Sequence, residues 1–417
     1  MAADRKNLKC GLIGVKLGHS YSKIIHDSFE KYSYELISLD EDKVDGFLRK
    51  GDFDGLNVTI PYKRTVIPYC SHLSDAAKRI GSVNTLVKTP EGLFGYNTDY
   101  HGFLSMAKRA GISFENKNVV ILGSGGTSLT ARTVAADEGA RSITVVSRSG
   151  GTAYDELDKL SDCEILVNTT PVGMYPNNGK SAVGLDSFPN CEAVLDVIYN
   201  PLRTPLLLQA KSKSLRFTGG LYMLVSQAAQ SAEYFCKEEI SSEKVEDVFR
   251  SLALSVQNIV LVGMPGSGKT TVGQEIAKIT GRRFVDTDDI ISERAKMSIP
   301  DIFKEFGEPR FRELELEAVS DFAKEKGLVI ATGGGAVLDE RNRNALAENG
   351  RIYYIRRDLD ALATDGRPLS KSADELAAMF TKRDPIYRSC ADFEAENCRC
   401  AEQTAKLILD EFFASSI

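Results

Sequence analysis

Two glycine-rich loops, each placed between an apolar β-rich run and a helical pattern, fix the kind of fold this chain can adopt. The first is Gly123-Ser-Gly-Gly126, after Asn118–Leu122. The second is Gly263-Met-Pro-Gly266-Ser-Gly268-Lys269-Thr270, after Asn258–Val262. A strand feeding such a loop into a helix brings backbone N–H groups and the positive end of the helix to a phosphate. The first loop type suits a dinucleotide and the second a nucleoside triphosphate. The rest of the chain agrees with layered α/β units. Short β-rich runs alternate with helical patterns: Cys10–Ile13, Ser142–Val146, Glu164–Val167, Gly327–Ile330 and Arg351–Ile355. That alternation predicts mostly parallel sheets covered by helices.

At 417 residues the chain has room for two or three domains with full cores. A net charge of −6 gives no basic footprint for nucleic acid. No apolar stretch approaches the roughly 20 residues of a membrane span. The first residues, Met1-Ala-Ala-Asp-Arg-Lys, lack the apolar centre of a signal peptide. The eight cysteines contain no C-x-x-C pair. The expectation is a cytoplasmic protein with free thiols and small-molecule partners, its oligomeric state left open. Four histidines at 19, 26, 72 and 101 offer no zinc-ligand spacing.

One boundary stands out. Ser241–Leu252 reads as a helix with a serine N-cap and with Val245, Val248, Phe249 and Leu252 on one face. About five residues, none glycine or proline, separate it from the strand at Asn258, so the link is short rather than a flexible tether.

In the first half, Gly123, Gly125 and Gly126 form the expected pyrophosphate loop ahead of a helix over 127–138, with Ser128 at the usual third glycine position. A plain NAD site carries an acid at the end of the following strand. Here that place holds Ser147-Arg148-Ser149, a cation with two hydroxyls, which suits the 2′-phosphate of NADP. Upstream lie polar clusters in apolar settings: His19-Ser20-Tyr-Ser22, Asn57-Val-Thr59-Ile-Pro-Tyr-Lys63, Asn84-Thr85 and Asn97-Thr98-Asp99. Hydroxyls and amides suit a polyhydroxylated ligand, and a lysine with an aspartate can relay a proton.

These ordered strings, GLIGVKLGHSYSKIIHD, GLNVTIPYK, RIGSVNTLV, GYNTD, ILGSGGTS, VNTTPVGM, LDVIYNP and GGLYMLVSQAA, resemble shikimate dehydrogenase over residues 8 to 253. The resemblance implies that Ser20, Ser22, Asn57, Thr59, Asn84, Asp99 and Gln227 hold shikimate, and that Lys63 and Asp99 are the catalytic pair. It implies a substrate lobe of residues 1–103 plus 219–253 around a Rossmann-like NADP lobe of 104–218. The sequence departs from the family where Lys16 and Lys23 stand for usual prolines, Tyr100 for a glycine and Ala232 for an aromatic. Lys23 and Tyr100 are expected to alter the mouth of the pocket, which leaves quinate open as a further substrate.

In the second half, Gly263, Gly266 and Gly268 cradle phosphates, Lys269 reaches the β/γ oxygens, and the Thr270 hydroxyl holds Mg2+. Thr271 continues into the helix. Phe284-Val-Asp286-Thr-Asp288, Phe311-Arg312-Glu-Leu-Glu315, Thr332-Gly-Gly334-Gly, Gly366-Arg367-Pro-Leu and Arg383-Asp-Pro-Ile-Tyr387 follow in order. Arginines suit a carboxylate acceptor and an aspartate its hydroxyls. Taken alone, Arg312 also fits a helix-surface ion pair with Glu308 or Glu315. The set resembles shikimate kinase over residues 257–417, placed here in a P-loop domain of 254–417 with a parallel sheet. The resemblance implies that Asp286 helps place Mg2+, that Asp288 binds the acceptor hydroxyls and is the candidate base, and that Arg312, Gly334 and Arg383 bind shikimate. It implies that Arg367 reaches the transferring phosphates from a lid. The lid is short, and Ala363 or Thr364 stands where many members carry an arginine near the adenine.

The expected sum is a bifunctional enzyme using NADP(H), ATP and Mg2+ on 3-dehydroshikimate and shikimate. Its rivals are a quinate/shikimate dehydrogenase fused to the kinase and a catalytically silent regulator.

Overall fold

The computed structural model describes residues 8–18, 20–362, 373–397 and 400–415. The chain divides into two compact units. One comprises Met1–Val172, Ser181–Tyr199 and Gln209–Leu252; the other comprises Gly173–Lys180, Asn200–Leu208 and Ala253–Ile417.

The first unit holds two sheets. Strands β1 (Lys9–Gly14), β2 (Ser33–Ser38), β3 (Gly55–Val58), β4 (Cys70–Leu73), β5 (Thr85–Thr89) and β6 (Gly92–Tyr96) pair in the order β2-β1-β3-β5-β6-β4. β1 is parallel to both neighbours, while β5 runs antiparallel to β3 and β6. Strands β7 (Asn118–Leu122), β8 (Ser142–Val146), β9 (Ile165–Asn168), β10 (Ala193–Asp196) and β11 (Arg216–Thr218) make a wholly parallel sheet in the order β11-β10-β9-β7-β8. Parallel strands covered on both faces read as unbroken apolar runs. β7 and β9 do so with Val119, Ile121, Ile165 and Val167, all buried.

Two helices bring the site residues of this unit together. Asp99–Arg109 packs on Leu221–Cys236, and Gly102 permits the approach. A Cβ there would lie 2.6 Å from the Met223 carbonyl oxygen and 2.9 Å from the Gln227 Cβ. Asp99 and Gln227 therefore sit on facing helices at a close crossing.

The second unit is built on one parallel sheet. β12 (Asn258–Val262), β13 (Phe284–Asp286), β14 (Val329–Ala331), β15 (Gly350–Arg356) and β16 (Phe393–Glu396) pair in the order β13-β14-β12-β15-β16. Alternate side chains serve opposite faces. Val260, Val262, Ile330, Ile352 and Tyr354 enter one core. Ile259, Leu261, Val329, Tyr353 and Ile355 enter the other.

The sequence boundaries shift in two places. The helix expected to stop at Leu252 runs Ser242–Val256, so one residue, Gln257, precedes β12. The last carbonyls of that helix find donors. Arg282 donates to the oxygens of Leu254 and Gln257, and Asn349 Nδ2 to that of Val256 at 2.9 Å. The second difference is that Gly173–Lys180 and Asn200–Leu208, expected within the dinucleotide lobe, group with the second unit. Asn178 Nδ2 and the Gly179 N–H donate to the buried Glu348 carboxylate, and the Arg203 N–H donates to the Glu348 carbonyl at 2.9 Å.

Among the described residues no helix is long and apolar enough to cross a membrane. The described cysteines are free thiols.

Candidate active sites

The eight substrate-binding and catalytic residues expected in the first half line one cavity of about 400 Å3: Ser20, Ser22, Asn57, Thr59, Lys63, Asn84, Asp99 and Gln227. Lys63 Nζ lies 2.6 Å from Asp99 Oδ2, with the side chains 27% and 16% exposed. Lys63 follows β3, and Asp99 opens the helix Asp99–Arg109, where the positive end of the helix favours its charge. A proton-relay pair thus stands at the cavity wall, open to solvent and to a ligand.

The neighbouring amides are fixed by a buried network. Asn57 Oδ1 accepts from Tyr34 Oη at 2.8 Å, and its Nδ2 donates to Ser231 Oγ at 2.8 Å and Thr85 Oγ1 at 3.1 Å. Asn84 Oδ1 accepts from the Thr98 N–H at 2.8 Å, and its Nδ2 donates to Thr98 Oγ1 at 3.1 Å. Thr98 Oγ1 reaches Gln227 Oε1 at 3.2 Å. Locked side chains of this kind present fixed donors and acceptors to a ligand. Ser20 Oγ donates to Ser22 Oγ at 2.9 Å. Tyr34 and Ser231 escaped the sequence reading because they lie far along the chain from their partners. Thr127, Tyr199 and Lys16 also line the cavity without having been assigned to it. His19 lies outside the described residues.

Lys23 and Tyr100, expected at the pocket mouth, are engaged elsewhere. Lys23 Nζ donates to the Tyr34 carbonyl at 2.7 Å and pairs with Asp27. Tyr100 Oη donates to Asp137 Oδ2 at 2.9 Å, beside the Arg79–Asp137 ion pair.

The dinucleotide loop follows β7. Gly123 has φ +100°, and Gly125 caps the helix Gly126–Asp137. Ser128 is buried, consistent with a small residue where helix meets sheet. At the end of β8, Arg148 is exposed and Ser149 Oγ lies 3.3 Å from Ser124 Oγ. Ser147 differs from its neighbours. Its hydroxyl donates to the Gly150 carbonyl at 2.5 Å and accepts from the Ser149 N–H, so it shapes the turn that displays Arg148.

In the second unit a cavity of about 300 Å3 is lined by Gly266, Lys269, Thr270, Asp286, Asp288, Arg312, Gly334 and Arg383, all flagged in the sequence. Gly263, Gly266 and Gly268 have φ of +147°, +82° and +95°, and Lys269 opens the helix Lys269–Thr280 that carries Thr271. Lys269 is buried, and its Nζ donates to the carbonyls of Gly263 and Met264 at 3.0 and 2.9 Å. Thr270 Oγ1 donates to Asp286 Oδ2 at 2.7 Å, and Asp286 Oδ1 accepts from the Asp288 N–H at 3.0 Å. A hydroxyl and a carboxylate are hard oxygen donors of the type Mg2+ takes alongside phosphate and water. Asp288 Oδ1 is buried with no hydrogen-bond partner. Among the described residues no cluster of three or more His, Cys, Asp or Glu is placed to hold a metal alone. The Thr270 hydroxyl and Asp286 carboxylate are oxygen donors that fit Mg2+ delivered with a nucleotide. Burial, reinforced by Asp286, pushes the Asp288 carboxyl up to about 6.

Arg312 makes both ion pairs that a helix-surface reading anticipates, to Glu308 at 2.8 Å and Glu315 at 2.7 Å. Yet it also lines the cavity, and Glu315 beneath it is only 1% exposed. Burial pushes Glu315 up to about 7 against the pull of Arg312. Arg383 Nη1 and Tyr387 Oη both donate to the Gly334 carbonyl, at 3.1 and 2.5 Å. Gly334 must lack a side chain, since a Cβ would lie 2.7 Å from the Pro265 ring. The glycine strand-end loop and the phosphate loop thus touch backbone to ring. Phe303, Phe311 and Glu315 are also among the lining residues. Phe311 and Glu315 stand in a string singled out in the sequence, Glu315 as a candidate ion-pair partner of Arg312, whereas Phe303 does not. Arg367, Ala363 and Thr364 lie outside the described residues.

The two geometries define two classes: a dinucleotide-loop oxidoreductase with a lysine–aspartate pair, and a P-loop phosphotransferase with an arginine-lined acceptor pocket. Residues 12–86 match the family described as shikimate dehydrogenase substrate binding domain, and residues 265–412 match shikimate kinase. A shikimate dehydrogenase (NADP(+)) of Clostridium perfringens is 35% identical over 263 residues, covering 58% of this chain and 97% of that protein. The solved chorismate mutase/shikimate 5-dehydrogenase fusion protein of Clostridium acetobutylicum is 37% identical with a TM-score of 0.57, covering 59% of this chain and 97% of its own. The shikimate 5-dehydrogenase of Thermus thermophilus, solved with NADP(H) and shikimate, is 29% identical with a TM-score of 0.53, covering 58% and 99%. The chain belongs to the shikimate dehydrogenase family and carries a shikimate kinase domain after that part.

Proposed function

We propose that this protein is a bifunctional cytoplasmic enzyme that reduces 3-dehydroshikimate to shikimate with NADPH and then phosphorylates shikimate to shikimate 3-phosphate with ATP. The observation that carries this is convergence. Eight polar residues from distant strings line one cavity around a 2.6 Å Lys63–Asp99 contact, and the acceptor residues surround a complete phosphate loop. NADPH supplies the hydride, and ATP with Mg2+ supplies the phosphoryl group and screens its charge.

The chain's own residues do the rest. Lys63 gives a proton to the ring oxygen as the carbonyl is reduced, and Asp99 holds the ammonium in place at 2.6 Å. Ser20, Ser22, Asn57, Thr59, Asn84 and Gln227 fix the ring against the pair. Gly123, Gly125 and Gly126 would receive the pyrophosphate, and Arg148 and Ser149, on the turn that Ser147 holds, would bind the 2′-phosphate. In the kinase, Arg312 and Arg383 take the acceptor carboxylate. Asp288 orients the acceptor hydroxyl and accepts its proton, a role suited to a buried carboxylate with an unpartnered oxygen. Lys269 and the loop amides would hold the phosphates, and Thr270 and Asp286 would hold Mg2+; Arg367, outside the described residues, is assigned to the transferring phosphates by the resemblance alone. The corresponding domains are 1–103 plus 219–253, 104–218 and 254–417.

A single coupled reaction tests the reading. The full chain is given dehydroshikimate, NADPH and ATP, and the product is identified by mass. Shikimate 3-phosphate is expected, with NADPH consumed in equal amount. Oxidation of quinate with NAD faster than shikimate with NADP would favour the quinate/shikimate rival. No turnover in either half would overturn the reading.

A further inference from the structure

The dehydrogenase cavity has a charge imbalance. Its lining contains three charged side chains: Lys16, Lys63 and Asp99. Lys63 and Asp99 neutralise each other at 2.6 Å. Lys16 makes no hydrogen bond or ion pair among the described residues. Lys16 is exposed to solvent, so among the described lining residues one positive charge without a protein counter-charge stands at the edge of a cavity otherwise lined by hydroxyls, amides and apolar groups.

The local backbone explains why it is there. Lys16 lies in the loop between β1 and the short helix Ser22–Asp27. Leu17 is 5% exposed, and its carbonyl accepts from the Ser20 N–H at 3.1 Å. That buried leucine ties the loop down and keeps Lys16 in the same wall as the Ser20–Ser22 hydroxyl pair. Residue 16 is also a position where the sequence departs from the proline its resemblance leads one to expect, so a rigid apolar ring has been exchanged for a flexible cation.

We propose that Lys16 is a specificity residue of the dehydrogenase, an ammonium that pairs with the carboxylate of the cyclic acid beside Ser20 and Ser22. The inference rests on the dehydrogenase reading above. Because the carboxylate is unchanged by hydride transfer, the pairing is the same in ground state and transition state. It lowers KM and leaves kcat alone. It also makes the site prefer an acid to its neutral derivatives.

The test uses the full chain and the oxidation of shikimate with NADP+. Lys16→Gln should raise KM for shikimate about five- to tenfold, the scale of a charged hydrogen bond at a partly solvated site. The kcat should stay within about twofold. Shikimate methyl ester, measured as a substrate or as a competitive inhibitor, should respond less than about twofold. Lys16→Arg should restore the acid KM to within about threefold, and raised salt should shrink the gap between wild type and Lys16→Gln. An unchanged acid KM in Lys16→Gln would overturn the proposal. So would an equal rise for acid and ester, which marks a structural role. Wild-type protein inert towards shikimate would instead overturn the dehydrogenase reading itself. Kinase turnover of the same preparations reports folding independently of the altered site.

Discussion

Replacing Lys63 by alanine removes the ammonium proposed to serve the ring oxygen, and the size of the loss follows from its setting. Lys63 Nζ is held 2.6 Å from Asp99 in a wall where the two side chains keep 27% and 16% of their exposure. A positioned general acid contributes about 10²–10⁴ in rate. The expected fall in kcat is therefore on that order, about 3–5 kcal/mol of barrier. Folding should suffer far less. A sealed ion pair broken on one side costs about 3–5 kcal/mol, but here water reaches the pair and Asp99 still opens the helix Asp99–Arg109, so a loss of about 1 kcal/mol is expected. Two assays on one preparation separate these effects: NADPH oxidation with dehydroshikimate, and ADP release with shikimate. Dehydrogenation should collapse while the kinase stays within a fewfold of wild type, and Lys269→Ala should show the reverse. Mixing the two variants should recover steady flux to the phosphate after a lag while shikimate accumulates. A Lys63→Ala enzyme retaining dehydrogenase kcat within tenfold of wild type would refute the assigned role. Loss of kinase activity with an intact circular dichroism spectrum would refute the independence of the two sites.

Three further outcomes follow from single side chains. Arg148, exposed on the turn after β8, is expected to confer the NADPH preference, and Arg148→Ala should narrow the NADPH-over-NADH ratio in kcat/KM by about tenfold. Arg312→Lys keeps the charge but loses the fork that now spans Glu308 and Glu315, so KM for shikimate in the kinase assay should rise about tenfold while KM for ATP moves less than about twofold. His26 is buried, stacked on Tyr34 at 3.9 Å with Nδ1 2.6 Å from Tyr32 Oη, and burial lowers it from 6.5 to about 3. The unfolded chain then binds more protons between those values, so stability present above pH 6.5 is lost as pH falls, by about 2 kcal/mol at pH 5. Hydrogen exchange in Ser22–Asp27 and β2 should report that slope, and His26→Phe should flatten it.

Local strings carried most of this molecule. The phosphate loop, the dinucleotide loop and the polar clusters each specify a turn or a helix start over a few residues, and short-range chemistry decides those. Seven of the eight residues around the first cavity stand in polar clusters within apolar settings, but their roles, and Gln227 altogether, are implied only by the resemblance to shikimate dehydrogenase. What stayed hidden depends on packing between distant segments. Asn57 is held by Ser231, 174 positions away, and nothing near Ser231 announces a polar partner. The Arg312–Glu315 pair is readable from helical spacing, but the burial of Glu315 beneath Arg312 is not. The helix ending at Val256 outran its reading because its last carbonyls are satisfied by Arg282 and Asn349, neither adjacent in sequence. Departures from a family pattern were equally ambiguous. Lys16, Lys23 and Tyr100 look alike as substitutions, and only the fold separates the one lining the cavity from the two tied to Tyr34 and Asp137.

The two cavities would hold the same acid by different means, and the chemistry of each step accounts for the difference. Hydride and proton transfer leave the carboxylate as it was and bring no second anion to the ring, beyond a pyrophosphate held on its own loop. Orientation is then the main requirement. The first cavity meets it with amides and hydroxyls locked by Tyr34, Thr85, Thr98 and Ser231, and with one spare cation. Phosphoryl transfer instead brings an anionic acceptor against a polyanion, so repulsion has to be offset before the oxygens can approach. The second cavity accordingly carries Lys269, Arg312 and Arg383 in its lining. Those cations would be misplaced without anchors. Arg312 is held by Glu308 and Glu315, Arg383 by the Gly334 carbonyl, and Lys269 by the carbonyls of Gly263 and Met264. On the proposed reading, each anchor would fix a charge near where negative charge arrives, so that little reorganisation would remain at the moment of transfer.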